Sequence, residues 1–419
     1  MRILTITNWY PPHHFGGYEL SCYDVMTRLE RNGHHVEVLC NQDRVAGVED
    51  PPQNPHERHV RRELLSYVRY GELLEPPFRE RLAIERHNQR ALERALDGIH
   101  PEVVSVWQMG ALSLGMLTTL VEREVPLVYA VCDNWLGYGV SLDAWARMFN
   151  GSRWRRLLGR AVRPAAGVPT VLPDLGACGA FCFVSELTRR RSIESSPWPR
   201  FSISTVVYSG IERSLFPSLG EPPKRPWRWR LLYVGRFDTR KGVETLIRAM
   251  AALPRESSLA LFGREEGGER ARLESFARDL YLGHRVRFGE LRRHELADAF
   301  SDADVLIFPS EWEEPFGLVP IEAMACGTPV LATGVGGSAE FLRDGENCLL
   351  FEAGDPGQLA EGVSRLAKDP ALRQRLVRSG LRLPDELTTD RLAEVFDAWH
   401  RAAAQRFRAG LPADRRLSH

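Results

Sequence analysis

Val305-Leu-Ile-Phe-Pro-Ser-Glu-Trp-Glu-Glu-Pro-Phe-Gly-Leu-Val-Pro-Ile-Glu-Ala-Met-Ala-Cys-Gly-Thr-Pro-Val330 reads as one unit of a repeating pattern. Val305–Pro309 is a short apolar run suited to a buried strand. An acidic loop follows. Leu318–Ala325 then has helical spacing: Pro320 is tolerated in a first turn, where its missing N–H is not needed, and Gly327 supplies the stop. Pro329–Ala332 begins the next strand. Strand, helix and strand in this order build a parallel sheet.

Working outward, the same alternation covers the chain. In the second half, strands are expected at Leu231–Val234, Ser258–Phe262, Arg285–Phe288, Val305–Pro309, Pro329–Ala332 and Cys348–Phe351. In the first half they are expected at Ile3–Thr7, Val36–Cys40, Val103–Trp107, Leu127–Val131, Phe181–Ser185 and Thr205–Tyr208. The helices between these first-half strands fall at Tyr18–Arg31, Phe78–Leu96, Leu112–Val121 and Leu142–Leu158. Phe216-Pro-Ser-Leu-Gly-Glu-Pro-Pro-Lys-Arg-Pro226 is too rich in proline and glycine for either element and reads as a linker. The expected fold class is α/β: two doubly wound parallel-sheet domains, 1–215 and 227–387, facing across a cleft, with a further helix over about 388–407. Ligands of such sheets bind beyond the carboxyl ends of the strands, so the chemistry is sought in those loops.

The 419 residues carry 55 Lys and Arg against 55 Asp and Glu, and 43% are hydrophobic. That composition excludes a mainly disordered chain, and the charge balance argues against nucleic acid as a partner. Only Lys224, Lys241 and Lys368 are lysines, so a lysine at a special position is notable. Seven cysteines are scattered without a CxxC pair, which fits a reducing compartment better than a disulfide framework or a zinc site. No uninterrupted apolar stretch reaches ~18 residues. A cytoplasmic protein is expected, with peripheral contact at the inner membrane face left open.

Three loops stand out. After the first strand, Asn8-Trp-Tyr-Pro-Pro-His-His-Phe-Gly-Gly17 leads into a helix. It lacks the GxGxxG fingerprint, which disfavours a nicotinamide or flavin site. Gly16 and Gly17 at a helix start allow a phosphate to approach the backbone; a plain turn explains them equally well. After the first strand of the second half, Gly235 and Arg236 are followed by Lys241 and Gly242 at another helix start, and two cations beside free N–H groups suit a diphosphate. The third loop holds Glu314, with Glu322 in the helix beyond. A solvated loop explains Glu311 and Glu313. A glutamate inside Leu318–Ala325 needs a partner, such as a ribose diol or another donor. No aspartate cluster suits a metal.

The segment Gly235–Gly242, the Glu314-x7-Glu322 pair, Pro309-Ser310, Ala323-Met-Ala-Cys-Gly-Thr-Pro-Val330 and Gly336-Gly337-x-x-Glu340 closely resemble the retaining GT-B glycosyltransferases of family 4, glycosyl transferases group 1. The resemblance extends over nearly the whole chain. It implies two Rossmann-like domains, the first binding an acceptor and the second a nucleotide-diphosphate-sugar donor, with the C-terminal helix crossing back to the first. It also implies that Arg236 and Lys241 neutralise the diphosphate, that Glu322 holds the ribose hydroxyls and that Glu314 contacts the transferred sugar. N–H groups of Phe316, Gly317, Leu318 and Val319 would bind sugar hydroxyls and phosphate. Gly16 and Gly17 would close over the phosphate, Gly235 would shape the donor loop, and Gly263 and Leu291 would pack the base. The implied reaction retains anomeric configuration and uses no metal and no cofactor. Charge building on the diphosphate is met by Arg236, Lys241 and the helix end. Glu314, Asp133, Arg236 and Lys241 form the expected catalytic set.

One departure stands out. Members of the family often carry a histidine, commonly followed by aspartate, in the fourth-to-fifth strand region of the first domain. Here Tyr129-Ala-Val-Cys132-Asp133 puts cysteine at that place. Cys132 cannot carry a proton at neutral pH as histidine does. Asp133 could orient or deprotonate an acceptor hydroxyl, or cap the following helix. Cys132 favours one alternative, a non-catalytic nucleotide-sugar-binding partner of the same fold; a GT-B epimerase or phosphorylase fits less well. The sequence leaves open the donor base and sugar, the acceptor (glycan or polysaccharide, lipid-linked intermediate or secondary metabolite) and the oligomeric state. The basic run Arg153–Arg163 reads as an arginine-rich solvated helix or as a contact with an anionic membrane.

Overall fold

A computed structural model describes residues 1–45, 48–49, 56–69, 72–198, 200–217, 219–265 and 267–409. The chain divides into two compact units: Met1–Tyr208 with Leu392–His419, and Ser209–Arg391.

In the first unit the strands are β1 (Arg2–Ile6), β2 (His35–Asn41), β3 (Val60–Leu64), a small hairpin β4 (Val68–Arg69) and β5 (Glu72–Leu73), then β6 (Val103–Val106), β7 (Leu127–Val131), β8 (Ala180–Phe183) and β9 (Ile203–Val206). All but the hairpin form one parallel sheet, in the order β3-β2-β1-β6-β7-β8-β9. Along β1, Leu4 and Ile6 enter one buried cluster and Ile3 enters another, as expected of a strand covered on both faces. The helix Thr389–Arg408 completes the second cluster. Its Phe396 stacks on Trp107 with ring centroids 5.1 Å apart, and His400 Nε2 lies 3.1 Å from Ser105 Oγ.

Two expectations for this unit need correction. β3 is not foreseen, because Val60-Arg-Arg-Glu-Leu64 is an edge strand that carries charge instead of a continuous apolar run. The helix expected over Leu142–Leu158 is three helices: Trp135–Leu142, Ala146–Asn150 and Arg153–Ala166. Asp143 breaks the run. Its Oδ1 accepts from the N–H groups of Trp145 and Ala146, each at 2.9 Å, and its Oδ2 from Leu114 N–H at 2.8 Å, which starts a new helix in place of extending the old one.

The second unit holds β10 (Arg230–Val234), β11 (Ser258–Phe262), β12 (Val286–Gly289), β13 (Val305–Phe308), β14 (Val330–Ala332) and β15 (Leu349–Leu350), all parallel, in the order β12-β11-β10-β13-β14-β15. The proline-rich stretch 216–226 belongs to this unit. Phe216 is fully buried, 6.1 Å from the Phe300 ring, and a Cβ on Gly327 would meet Pro223 and Leu219 at 2.7 and 2.8 Å. Proline and glycine keep the described part of this stretch out of helix and sheet, but Phe216 still buries and Leu219 and Pro223 are half-buried.

Candidate active site

Parallel pairing brings the loops after β10, β11, β12, β13 and β14 to one edge of the second sheet. The loops after β10 and β11 touch where a Cβ on Gly263 would lie 1.7 Å from the Gly235 carbonyl oxygen, so only glycine fits. Asp238 then starts a 3-10 turn over Thr239–Lys241. Its Oδ1 accepts from Arg240 N–H at 2.9 Å, and the Arg240 guanidinium holds its carboxyl down at about 2.

That turn presents Lys241, whose Nζ donates to Glu314 Oε1. The same oxygen accepts from Ser310 Oγ at 3.0 Å. Glu314 is only 6% exposed. Its backbone pairs with Gly336, and its carbonyl accepts from Gly337 N–H at 2.6 Å. Residues from the loops after β10, β13 and β14 therefore meet at one ion pair.

Trp312 belongs to this cluster and is not foreseen. The Arg240 guanidinium and Lys241 Nζ lie 4.7 and 5.4 Å from its ring centroid, within cation–π range. A lone tryptophan in an acidic loop is the signal that could have marked it. Glu311, read above as solvated, is exposed yet tethered: Thr245 Oγ1 donates to its Oε1 at 2.5 Å, and its N–H donates to the Arg240 carbonyl at 2.9 Å. It ties the loop after β13 to the one after β10.

The other expected donor residues lie along the same edge. Arg236 is half-buried, and its carbonyl accepts from the Tyr233 hydroxyl at 2.7 Å. Phe316 is buried, 5.0 Å from the Phe341 ring. Gly317, Leu318 and Val319 lead into the helix Val319–Ala325, which carries the half-buried Glu322. Leu291 follows β12.

Gly16, Gly17 and Asp133 belong to the first unit. Gly16 N–H donates to Glu19 Oε2 at 2.9 Å as the helix opens at Gly17. Asp133 Oδ1 accepts from Trp135 N–H at 2.9 Å and Oδ2 from the Tyr138 hydroxyl at 2.6 Å. Asp133 therefore bonds the first N–H of the helix Trp135–Leu142 from the position before its N-cap, Asn134, which has no side-chain cap bond, and burial raises the Asp133 carboxyl above the usual range. Burial likewise pushes the Cys132 thiol well up, so it stays protonated at neutral pH. Among the described residues, no group of three or more His, Cys, Asp or Glu side chains is placed to hold a metal ion.

Comparison with known proteins gives the class to which two parallel α/β units with these loops belong. The family described as Glycosyl transferases group 1 matches residues 220–382, and Glycosyltransferase Family 4 matches residues 15–215. A glycosyltransferase of Methanocaldococcus jannaschii, itself uncharacterized, is 36% identical over 403 residues, covering 90% of this chain and 92% of that one. The chain belongs to this family: it is a glycosyltransferase of GT-B fold. The D-inositol 3-phosphate glycosyltransferase of Thermomonospora curvata is 38% identical over 181 residues, and the match spans 40% of this chain and 42% of that protein's length. Among solved structures, sucrose-phosphate synthase from Thermosynechococcus elongatus has a TM-score of 0.71 at 25% identity, covering 97% of this chain and 99% of that one.

Proposed function

We propose that the protein transfers a sugar from a nucleotide-diphosphate-sugar donor to an acceptor hydroxyl, with retention of configuration and without a metal ion or cofactor. The buried Lys241–Glu314 pair at the carboxyl edge of the second sheet carries this reading. An ammonium has three donors. With one on Glu314, Lys241 keeps two for phosphate oxygens, and Glu314 is held at a fixed place for the transferred sugar. Arg236 supplies the second cation. As the sugar–phosphate bond breaks, negative charge grows on the leaving diphosphate, and cations already in place stabilise it without reorganising. Glu322 takes the ribose hydroxyls, and Gly263 and Leu291 border the base.

The test is a panel of UDP-, GDP-, ADP- and dTDP-sugars, read by retention in mass spectrometry and by donor hydrolysis, with and without EDTA. One donor is expected to be retained and slowly hydrolysed, with EDTA making no difference. If no donor is retained or hydrolysed, the non-catalytic alternative replaces this reading.

In the first unit, Asp133 is proposed to orient the acceptor hydroxyl as well as to bond the start of its helix. Asp133→Asn is expected to lose transfer while donor affinity stays at the parent value. Unaltered turnover would leave Asp133 with the helix contact alone.

We place the protein in the cytoplasm, in peripheral contact with an anionic membrane. The seven cysteines are all free, and among the described residues no helix is long and apolar enough to cross a membrane. The helix Arg153–Ala166 supports the contact: Trp154, Leu157 and Leu158 are 81%, 51% and 57% exposed among five arginines. A basic helix with exposed apolar side chains suits an anionic interface. The double variant Trp154→Ala/Leu158→Ala is expected to bind anionic vesicles at least about a hundredfold more weakly in cosedimentation, since two buried side chains at ~1.5–3 kcal/mol each together contribute ~3–6 kcal/mol. Equal binding by variant and parent would reject the contact.

A further inference from the structure

A cavity of about 400 Å³ opens at the end of the second sheet opposite the loops that carry Lys241 and Glu314. Its lining includes Trp227, Asp304 and Pro329, which precede β10, β13 and β14. The donor loops follow those same strands, so the length of a strand, ~15 Å, separates the two ends. Lys224, Arg225, Arg373 and Val377 also line it. One of the chain's three lysines and the proline-rich stretch, neither used in the donor site, therefore come together here.

The charge in this lining is unbalanced. Asp304 is its one acid, and Asp304 Oδ2 already accepts from the N–H groups of Arg228 and Arg230 at 2.9 and 2.8 Å. Arg225 donates to carbonyl oxygens, those of Cys326 at 3.2 Å and Gly327 at 3.5 Å. Arg373 donates to the carbonyls of Leu366 and Ala367, and its guanidinium lies 5.3 Å over the Trp227 ring. Burial pushes the pKa of both half-buried arginines down, and Asp304 only partly offsets this at each of them. Trp227 Nε1 is buried without a hydrogen-bond partner. Guanidinium forks and an ammonium match the geometry and charge of a phosphate better than those of a single carboxylate. The volume suits a small ligand.

We propose that this cavity is a second anion site, taking the phosphate group of a small phosphomonoester on Lys224, Arg225 and Arg373, with the organic part beside Trp227 and Val377. It stands apart from the donor site and does not depend on the donor assignment.

The test titrates the full chain with inorganic phosphate and with glucose 6-phosphate, followed by calorimetry and tryptophan fluorescence. Lys224 is exposed, so Lys224→Glu is expected to keep the parent's thermal midpoint while weakening binding about tenfold or more, the loss expected for one charge-assisted contact. Lys241→Ala, at the other end of the sheet, is expected to leave this binding in place. If Lys224→Glu does not fold, Lys224→Gln takes its place. Parent-like affinity in the folded Lys224 variant, or loss of all phosphate binding in Lys241→Ala, overturns the site. Glucose 6-phosphate is expected to bind about fivefold more tightly than inorganic phosphate, as apolar contact beside Trp227 adds ~1 kcal/mol; equal affinities overturn the organic half of the proposal.

Discussion

Lys241→Ala is expected to lower kcat/KM by about 10³ and to destabilise the second unit by ~3 kcal/mol. The first effect follows from removing the cation proposed to meet the growing diphosphate charge, where one fixed donor contributes ~10²–10³ in rate. The second follows from the pair itself. The Glu314 and Lys241 side chains are 7% and 16% exposed, and truncating one partner of a buried pair leaves the other charge uncompensated, at ~3–5 kcal/mol. The low end applies because Lys241 is partly solvated and Ser310 still donates to Glu314. The two effects can be separated. In the double variant Lys241→Ala/Glu314→Gln the stranded charge is gone, so urea denaturation should recover most of the stability while activity stays lost. Lys241→Arg keeps the charge but replaces a compact ammonium with a planar fork, and should recover stability better than rate. Parent-like kinetics in Lys241→Ala would sink the donor assignment. If the double variant recovers no stability, the Lys241–Glu314 contact is not what makes the single variant unstable.

Most strands of both sheets are legible in the sequence because they are covered on both faces and read as short unbroken apolar runs, as in Leu231–Val234 and Leu127–Val131. β3 is not legible for the converse reason: at the sheet edge, Arg61, Arg62 and Glu63 can stay half-exposed. In the site, Lys241 and Glu314 are legible one at a time, each a charged residue just beyond an apolar strand. Their partnership is not. They stand 73 residues apart and meet because β13 lies beside β10 in the sheet, an order that spacing does not encode. The same holds for Trp312 against Arg240 and for the anchoring of Glu314 on Gly336. Asp143 shows the opposite limit. The local pattern around it is helical, and only its side-chain bonds to Trp145, Ala146 and Leu114 explain the break.

Gly336→Ala tests that anchoring directly, and it is expected to be among the most damaging single-methyl changes in the second unit. Gly336 has φ +80° and ψ −145°, a region essentially restricted to glycine, where an L side chain costs ~1–3 kcal/mol. Its added Cβ would also lie 2.4 Å from Glu314 N and 2.5 Å from Glu314 O. Both are backbone atoms of the segment it pairs with, so no rotamer change relieves the clash; the loop after β13 has to move. Moving it pulls Glu314 away from Lys241 and Ser310, so a structural change becomes a catalytic one. Gly345→Ala separates strain from clash: Gly345 has φ +69° with nothing within 4 Å of an added Cβ, and should lose only the ~1–2 kcal/mol of strain. Gly336→Ala should lose ~4 kcal/mol, the middle of the range given by strain of ~1–3 kcal/mol plus overpacking of ~1–3 kcal/mol. At a temperature where it is still folded by circular dichroism, its kcat/KM should fall about a hundredfold, because a small misplacement of a positioning group is enough for that. Gly345→Ala should keep the parent's kcat/KM. Equal stability of the two variants would mean that the loop after β13 yields freely at Gly336, and a parent-like kcat/KM in folded Gly336→Ala would show that the site does not need Glu314 held where the Gly336 pairing puts it.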